Sequence, residues 1–231
     1  MSIVSELDLN GFVFVRSVID KALCAELAIL MGDVKGAGTR GVLRFPEIAK
    51  LAQSRLSDLV RPYLECPPLP VRGIYFDKKP NANWLVAWHQ DLTLAVKERI
   101  ELEGFGSWSL KEGVVHVQPP AELLEKMVTV RLHLDAADSL NGALRVLPRS
   151  HQSGRLDNDA IQNLRAHRDE VICEADVGDV LLMRPLLLHA SSRSASERRR
   201  RVLHIEYAGF KLPTPLQWHE VPCQNNCVHY R

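Results

Sequence analysis

The sequence predicts an α+β, mainly β fold: a two-sheet jelly roll with helices at its N-terminal side and one helix inserted later. Helical periodicity is concentrated in the first sixty or so residues. From residue 72 onward, short apolar runs punctuated by Gly, Pro, Asn and Asp take over, the texture of many strands. No repeat, low-complexity tract or linker divides the 231 residues. Helices followed by many strands fit an α+β arrangement built around a β core.

Taken in order, Gly11-Phe12-Val13-Phe14-Val15 is a short β-type run. Ser17 to Met31 reads as a helix with an apolar stripe of Val18, Cys24, Leu27, Ala28 and Leu30, and Gly32 ends it. Phe45 to Tyr63 carries a second helical pattern through Ile48, Leu51, Leu56, Leu59 and Val60, and the prolines of Cys66-Pro67-Pro68-Leu69-Pro70 stop it. Strands are expected over Arg72 to Phe76, Trp84 to His89, Val128 to Leu134, Ala143 to Leu147, Val180 to Met183 and Val202 to Phe210. Two insertions separate them. Lys97 to Gln118, with three glycines, reads as a surface loop or as a lid, and Asp157 to His167 as a polar helix.

Composition sets the bounds. Apolar residues make up 46% and charged residues 25%, with a net charge of +1. A chain of this length buries a core without disulfides or metal clips, and one domain over 1–231 is the expectation. Near-neutral charge gives no reason to expect nucleic acid or an anionic membrane as partner. No apolar run approaches the roughly 18 residues of a membrane span. The start, Met1-Ser2-Ile3-Val4-Ser5-Glu6, carries no secretory pattern. Five scattered cysteines, an odd number, then favour a reduced, cytoplasmic chain.

The chemistry concentrates in a few residues. His89 and Asp91 lie at i and i+2 at the end of Trp84-Leu85-Val86-Ala87-Trp88, so a strand end offers an imidazole and a carboxylate on one side. His189 closes the apolar run Leu186-Leu187-Leu188, where a polar ring needs a partner. Two histidines and one carboxylate form the facial triad of non-haem Fe(II) oxygenases. Zinc hydrolases also use such ligands, but no H-E-x-x-H or clustered-cysteine zinc signature is present.

Arg198-Arg199-Arg200-Arg201 precedes the strand Val202-Leu203-His204-Ile205-Glu206-Tyr207. Arg199 and Arg201 share one side of that strand and Arg200 takes the other, but periodicity leaves open which side faces the metal. One guanidinium turned inward would hold a dicarboxylate co-substrate by a bidentate pair. Ser191, two residues past His189, offers a hydroxyl on the same side.

The ordered set Lys79-Pro80, Trp88-His89-Gln90-Asp91, Asn141-Gly142-Ala143-Leu144, Leu147-Pro148-Arg149-Ser150-His151, Gly178-Asp179-Val180, His189-Ala190-Ser191 and Arg200 resembles the phytanoyl-CoA dioxygenase family across roughly residues 72–210. The resemblance implies a double-stranded β-helix (jelly-roll, cupin-like) core, an Fe(II) centre, 2-oxoglutarate as co-substrate, and O2. It implies His89, Asp91 and His189 as metal ligands. It places Arg200, selected by the family's eleven-residue step from the second histidine, on the distal carboxylate with Ser191, and makes Gln90 a further co-substrate contact. The implied reaction is hydroxylation of a small-molecule C–H bond with release of succinate and CO2. Asp91 stands where halogenases of the family carry a small residue.

Two positions depart from the family pattern. Arg149 replaces the usual glycine of the P-G-S-H turn, from which a changed backbone is expected. Arg131 is charged where the family is often neutral, and is assigned to co-substrate, to an acidic substrate, or to a pair with Asp135 or Glu206. Trp108 and His116 of the insertion are further substrate candidates, with Lys111 beside them. His133, His204 and Glu206 read as satisfied polar groups of core or pocket, and Cys223, Cys227 and His229, with His219, as ordinary residues rather than a zinc site. Two other readings remain at this point: a non-catalytic barrel that binds metal or carboxylate, and a cupin-type metal-dependent hydrolase or isomerase.

Overall fold

A computed structural model describes residues 3–221. In chain order the elements are α1 (Ile3–Asn10), β1 (Phe12–Val15), α2 (Lys21–Met31), β2 (Gly38–Arg40), α3 (Pro46–Gln53), α4 (Arg55–Val60), β3 (Leu69–Lys78), β4 (Val86–His89), β5 (Leu94–Val96), β6 (Gly106–Lys111), β7 (Val114–Gln118), α5 (Ala121–Glu125), β8 (Met127–His133), β9 (Leu144–Val146), α6 (Asn158–His167), β10 (Val171–Cys173), β11 (Val180–Met183), β12 (His189–Ser191) and β13 (Arg200–Ala208). A six-stranded sheet runs β1-β11-β8-β13-β3-β2, and a four-stranded sheet β10-β9-β12-β4. Together they form the expected jelly roll, with every named strand pair antiparallel. Among the described residues no helix is long and apolar enough to cross a membrane.

The large sheet is amphipathic in an unusual sense. On β13, Leu203, Ile205 and Tyr207 point outward into a core shared with Cys24 and Leu27 of α2, Ile48 and Ala52 of α3, and Leu56 of α4. Each such fully buried aliphatic side chain contributes about 1.5–3 kcal/mol. Tyr207 also donates its hydroxyl to the Ala52 carbonyl at 2.8 Å, tying α3 to the sheet. The alternate residues, Arg200, His204 and Glu206, are equally buried but face the barrel interior. One strand thus packs helices with one face and builds a polar pocket with the other, as the two-residue period requires.

Several boundaries shift for local reasons. The first long helix begins at Lys21, because Ser17 adopts a left-handed φ of 52° and Asp20 caps the helix by accepting from Leu23 N at 2.8 Å. The second breaks at Ser54, whose φ/ψ of −116°/−103° is not helical. The 97–118 insertion carries an ordered hairpin: β6 pairs with β7, and β7 pairs in turn with β5, and Val96 and Val117 pack in a second core. Arg149 takes the left-handed φ of 65° that glycine adopts most easily, while its N–H is held by the Asn10 carbonyl at 2.9 Å.

Gly178 anchors the turn into β11. Its carbonyl accepts from Val18 N and Ile19 N, and its N–H donates to the His133 carbonyl. With φ at +88°, a Cβ there would lie 1.8 Å from the Ile19 oxygen. Gly178→Ala should therefore lower stability by about 2 kcal/mol or more, read as a lower urea midpoint; an unchanged midpoint would remove this turn as an anchor of the sheet.

Candidate metal centre

The site forms where β4 meets β12. In their antiparallel register His89 lies directly opposite His189, bringing the ring centroids to 4.2 Å. Asp91 lies two residues beyond the β4 terminus, its N–H held by the Pro185 carbonyl at 2.9 Å. His89 Nε2 is 3.9 Å from Asp91 Oδ1 and His189 Nε2 is 3.7 Å from Asp91 Oδ2. One ligand atom from each residue lies within 4.8 Å of the other two.

The backbone determines which nitrogens face inward. Nδ1 of His89 lies 2.9 Å from the Ala87 carbonyl, and Nδ1 of His189 lies 2.8 Å from that of Leu187. A carbonyl only accepts, so Nδ1 carries the proton and Nε2 presents its lone pair to the centre. Asp91 Oδ2 is buried without a hydrogen-bond partner among the described residues. Two lone pairs and an orphaned carboxylate oxygen fit a divalent cation. Burial pushes the His189 pKa down to about 4 against the pull of Asp91. Burial alone would raise Asp91, but His189, His204 and His89 outweigh it and hold its carboxyl below the usual range. Both groups are in the protonation state a metal needs.

A cavity of about 450 Å3 opens over the triad. The four arginines of the cluster part company around it. Arg199 clamps Asp77 with two bonds of 2.6 Å. Arg201 clamps Asp135 with two of 2.7 Å, and Arg198 pairs with Asp138 on the surface. Arg200 alone turns inward, 3% exposed, with Nε and Nη1 unpartnered among the described residues. Burial and then Arg131 lower its pKa to about 9, which leaves the guanidinium charged at neutral pH. Ser191 lies beside it, with Oγ 3.4 Å from Arg200 Nη2, and donates its own proton to the Gly142 carbonyl.

Other expectations are corrected. Gln90 lines the cavity, but its amide is engaged elsewhere: Nε2 donates to the Gly154 and Leu186 carbonyls and Oε1 accepts from Leu156 N, so the side chain braces the loop between the ligands. Arg131 pairs with neither Asp135 nor Glu206, which are taken by Arg201 and Arg72. It lines the cavity and donates to His204 Nδ1 at 2.9 Å. Trp108 and His116 do not line this cavity. Trp108 packs toward the second core, and His116 borders a neighbouring cavity with Arg40 and Arg72. Lys111, three residues from Trp108 and so on the other face of β6, lines the metal cavity instead. Cys223, Cys227 and His229 lie outside the described residues; His219 borders the neighbouring cavity.

Sequence reasoning missed Lys78. Paired with Arg200 in the β3–β13 register, it is 1% exposed and donates to Ser191 Oγ at 2.9 Å and to the Ser192 carbonyl. Burial, then Arg200 and Arg131, pull its pKa down to about 7. Gly142 makes room for it: a Cβ there would lie 3.0 Å from the Lys78 ammonium and 2.5 Å from the Ser192 oxygen. Strand parity with Phe76 was the available signal, but the facing arginine is a matter of sheet register.

A family model described as phytanoyl-CoA dioxygenase (PhyH) matches residues 7–202. No curated protein matches the chain. Among solved structures, the chain is similar to AviO1 from Streptomyces viridochromogenes Tue57, with 22% identity, 89% of this chain and 93% of that chain covered, and a TM-score of 0.63. It is similar to EctD from S. alaskensis with 2-oxoglutarate and 5-hydroxyectoine (18%, 89% and 74%, TM-score 0.68). It is also similar to the epimerase SnoN in complex with Fe3+, alpha ketoglutarate and nogalamycin RO (14%, 89% and 82%, TM-score 0.66).

Three buried histidines make the fold acid-sensitive. His189 and His116 are lowered to about 4 and His133 to about 3, each chiefly by burial. Between their ordinary value of 6.5 and these values, the unfolded chain binds protons that the native protein excludes, so stability falls as pH falls through this window. The urea midpoint of metal-free protein should drop steadily from pH 6.5 to 4, and less steeply in His133→Asn; a midpoint independent of pH would contradict the neutral, buried state.

Proposed function

The chain belongs to the phytanoyl-CoA dioxygenase family of non-haem Fe(II)/2-oxoglutarate-dependent oxygenases, and on that premise we propose that it hydroxylates a C–H bond of a small-molecule substrate while 2-oxoglutarate is converted to succinate and CO2. One oxygenase domain takes up the chain. His89, Asp91 and His189 hold the iron, and Arg200 holds the distal carboxylate of 2-oxoglutarate. The observation that supports this most is a single cavity containing both a triad of convergent metal-ligating atoms and a buried guanidinium with no carboxylate partner among the described residues.

The iron, when bound, supplies O2 activation coupled to oxidative decarboxylation of the co-substrate. The chain supplies position and charge. The Ala87 and Leu187 carbonyls keep both imidazoles in the tautomer that points Nε2 at the metal. Asp91 contributes the one anionic ligand and fills the place a halide would need. Arg200, itself buried, receives the distal carboxylate in a charge-assisted pair. Ser191 Oγ accepts from both Arg200 Nη2 and Lys78 Nζ and so positions the guanidinium beside the ammonium. No side chain is required as a general base.

Truncating a buried guanidinium that holds a carboxylate should cost about 2–5 kcal/mol, or roughly 30-fold to several-thousand-fold in affinity. Arg200→Ala should weaken 2-oxoglutarate binding by that factor, read from the charge-transfer band of anaerobic Fe(II) protein. Arg198→Ala, exposed and paired with Asp138, should change it little. Loss on Arg198→Ala with none on Arg200→Ala would reverse the assignment. His189→Ala should abolish Fe(II) binding while circular dichroism stays unchanged; retained iron affinity would remove it from the ligand set. The turnover product should gain one oxygen atom as succinate forms. A chlorinated or mass-neutral product would count against hydroxylation, and absence of succinate would favour a binding barrel or a hydrolase.

A further inference from the structure

The interior wall opposite the triad carries a row of linked charges. Arg131 donates to His204 Nδ1, which must then be the acceptor nitrogen, so the His204 proton sits on Nε2. Nε2 lies 3.5 Å from Glu206 Oε1, and Glu206 in turn accepts from Arg72 Nη1 at 3.0 Å. Along β13, Glu206 is six residues from Arg200, roughly 20 Å at strand rise, so this row leads from the co-substrate end of the cavity to its other end.

The charges along this route do not balance once the proposed cofactors are seated. The iron, Asp91, Arg200 and the two carboxylates of 2-oxoglutarate cancel. Glu206 answers Arg72, and Glu112 answers Arg40. Arg131, Lys111 and Lys78 are left over, Lys78 being held by the Ser191 hydroxyl and the Ser192 carbonyl rather than by a carboxylate. Arg131 is 5% exposed, its Nε is unpartnered, and no carboxylate lies within ion-pair distance among the described residues. Lys111, exposed at the mouth, reaches the cavity from β6 without an ion pair among those residues, its pKa lowered by partial desolvation and then by the charges of Arg72 and Arg40 beside it. Arg72 is buried and uses only Nη1 on Glu206.

A buried cation without a carboxylate partner among the described residues, as Arg131 is, is costly unless negative charge enters the cavity. At the far end Arg72 keeps donors beyond the one on Glu206, while Lys111 presents its ammonium at the mouth. We propose that the primary substrate is a small molecule carrying an oxyanion, carboxylate or phosphate, which seats against Arg72 and Lys111 at the end of the cavity away from Arg200. This rests on the function proposed above and names its substrate class. An apolar substrate would leave the row unanswered. At about 450 Å3, near the lower end of ligand-site volumes, the cavity holds a co-substrate and a small partner rather than a long chain.

The test uses anaerobic Fe(II) protein saturated with 2-oxoglutarate, titrated calorimetrically with butanoate, butyl phosphate and butan-1-ol. The charge-transfer band is recorded first; its absence would overturn the function proposed above, before any statement about substrate. With the band present, one or both anions should bind by about 10 mM and butan-1-ol should not. Butanoate alone would assign a carboxylate substrate, and butyl phosphate alone a phosphate ester. Arg72→Gln and Lys111→Gln should each weaken the anion about tenfold or more with the band intact. Arg72→Gln leaves Glu206 buried beside a neutral group, so if it misfolds, Lys111→Gln at the rim carries the test. Equal binding of butan-1-ol, no anion binding, or anion binding indifferent to both substitutions would overturn the proposal.

Discussion

The β4–β12 pairing carries the metal centre. Antiparallel strands bring directly opposed residues closer than any other pair in a sheet, and here the opposed residues are His89 and His189. Their backbones also supply the carbonyls that hold each Nδ1–H, so the same two strands set the distance between the rings and the nitrogen each presents. Asp91 completes the set because its N–H is held by Pro185, in the turn that leads to β12. A slip of one residue in this pairing would turn a histidine away from the cavity.

Around that pairing the protein distributes positive charge by strand parity. Arg199 and Arg201 leave the interior and find Asp77 and Asp135, while Arg200 enters it without a carboxylate. Burying a guanidinium in this way is unfavourable for the protein alone. It is sustained by hydrophobic packing on the opposite face of the same strand, where Leu203, Ile205 and Tyr207 join the helical core. Stability is supplied on one side of β13 and chemistry on the other. The helices of the N-terminal region therefore matter to the site through the core they share with β13.

The inserted hairpin shows how a segment without strong helix or strand signals acquires order from its neighbours. β7 pairs back on β5 and carries β6 on its other edge, and their apolar residues join a core with Leu124, Met127 and Trp218. That packing directs Lys111 to the cavity and Trp108 away from it. His116 ends up behind Arg72, against a separate cavity.

Much of this was legible in the residues. The two-residue spacing of His89 and Asp91, the strand-closing His189 and the run of strand-like segments pointed to a jelly roll with a metal-binding triad. The ordered motifs resembled one oxygenase family. Local pattern fails where partners come from distant segments. Strand parity separated Arg200 from its neighbours, but only the register against β3 and β8 turned it inward and set Lys78 beside it. Gln90 read as a further co-substrate contact, but the Gly154 and Leu186 carbonyls, more than sixty residues away, take its amide N–H groups. The sequence by itself determined the chemical inventory and the faces on which short-range neighbours lie, because these follow from residue type and backbone period. The tertiary structure alone decided which charges remain unanswered, because pairing a buried charge depends on groups that meet only when the sheets close.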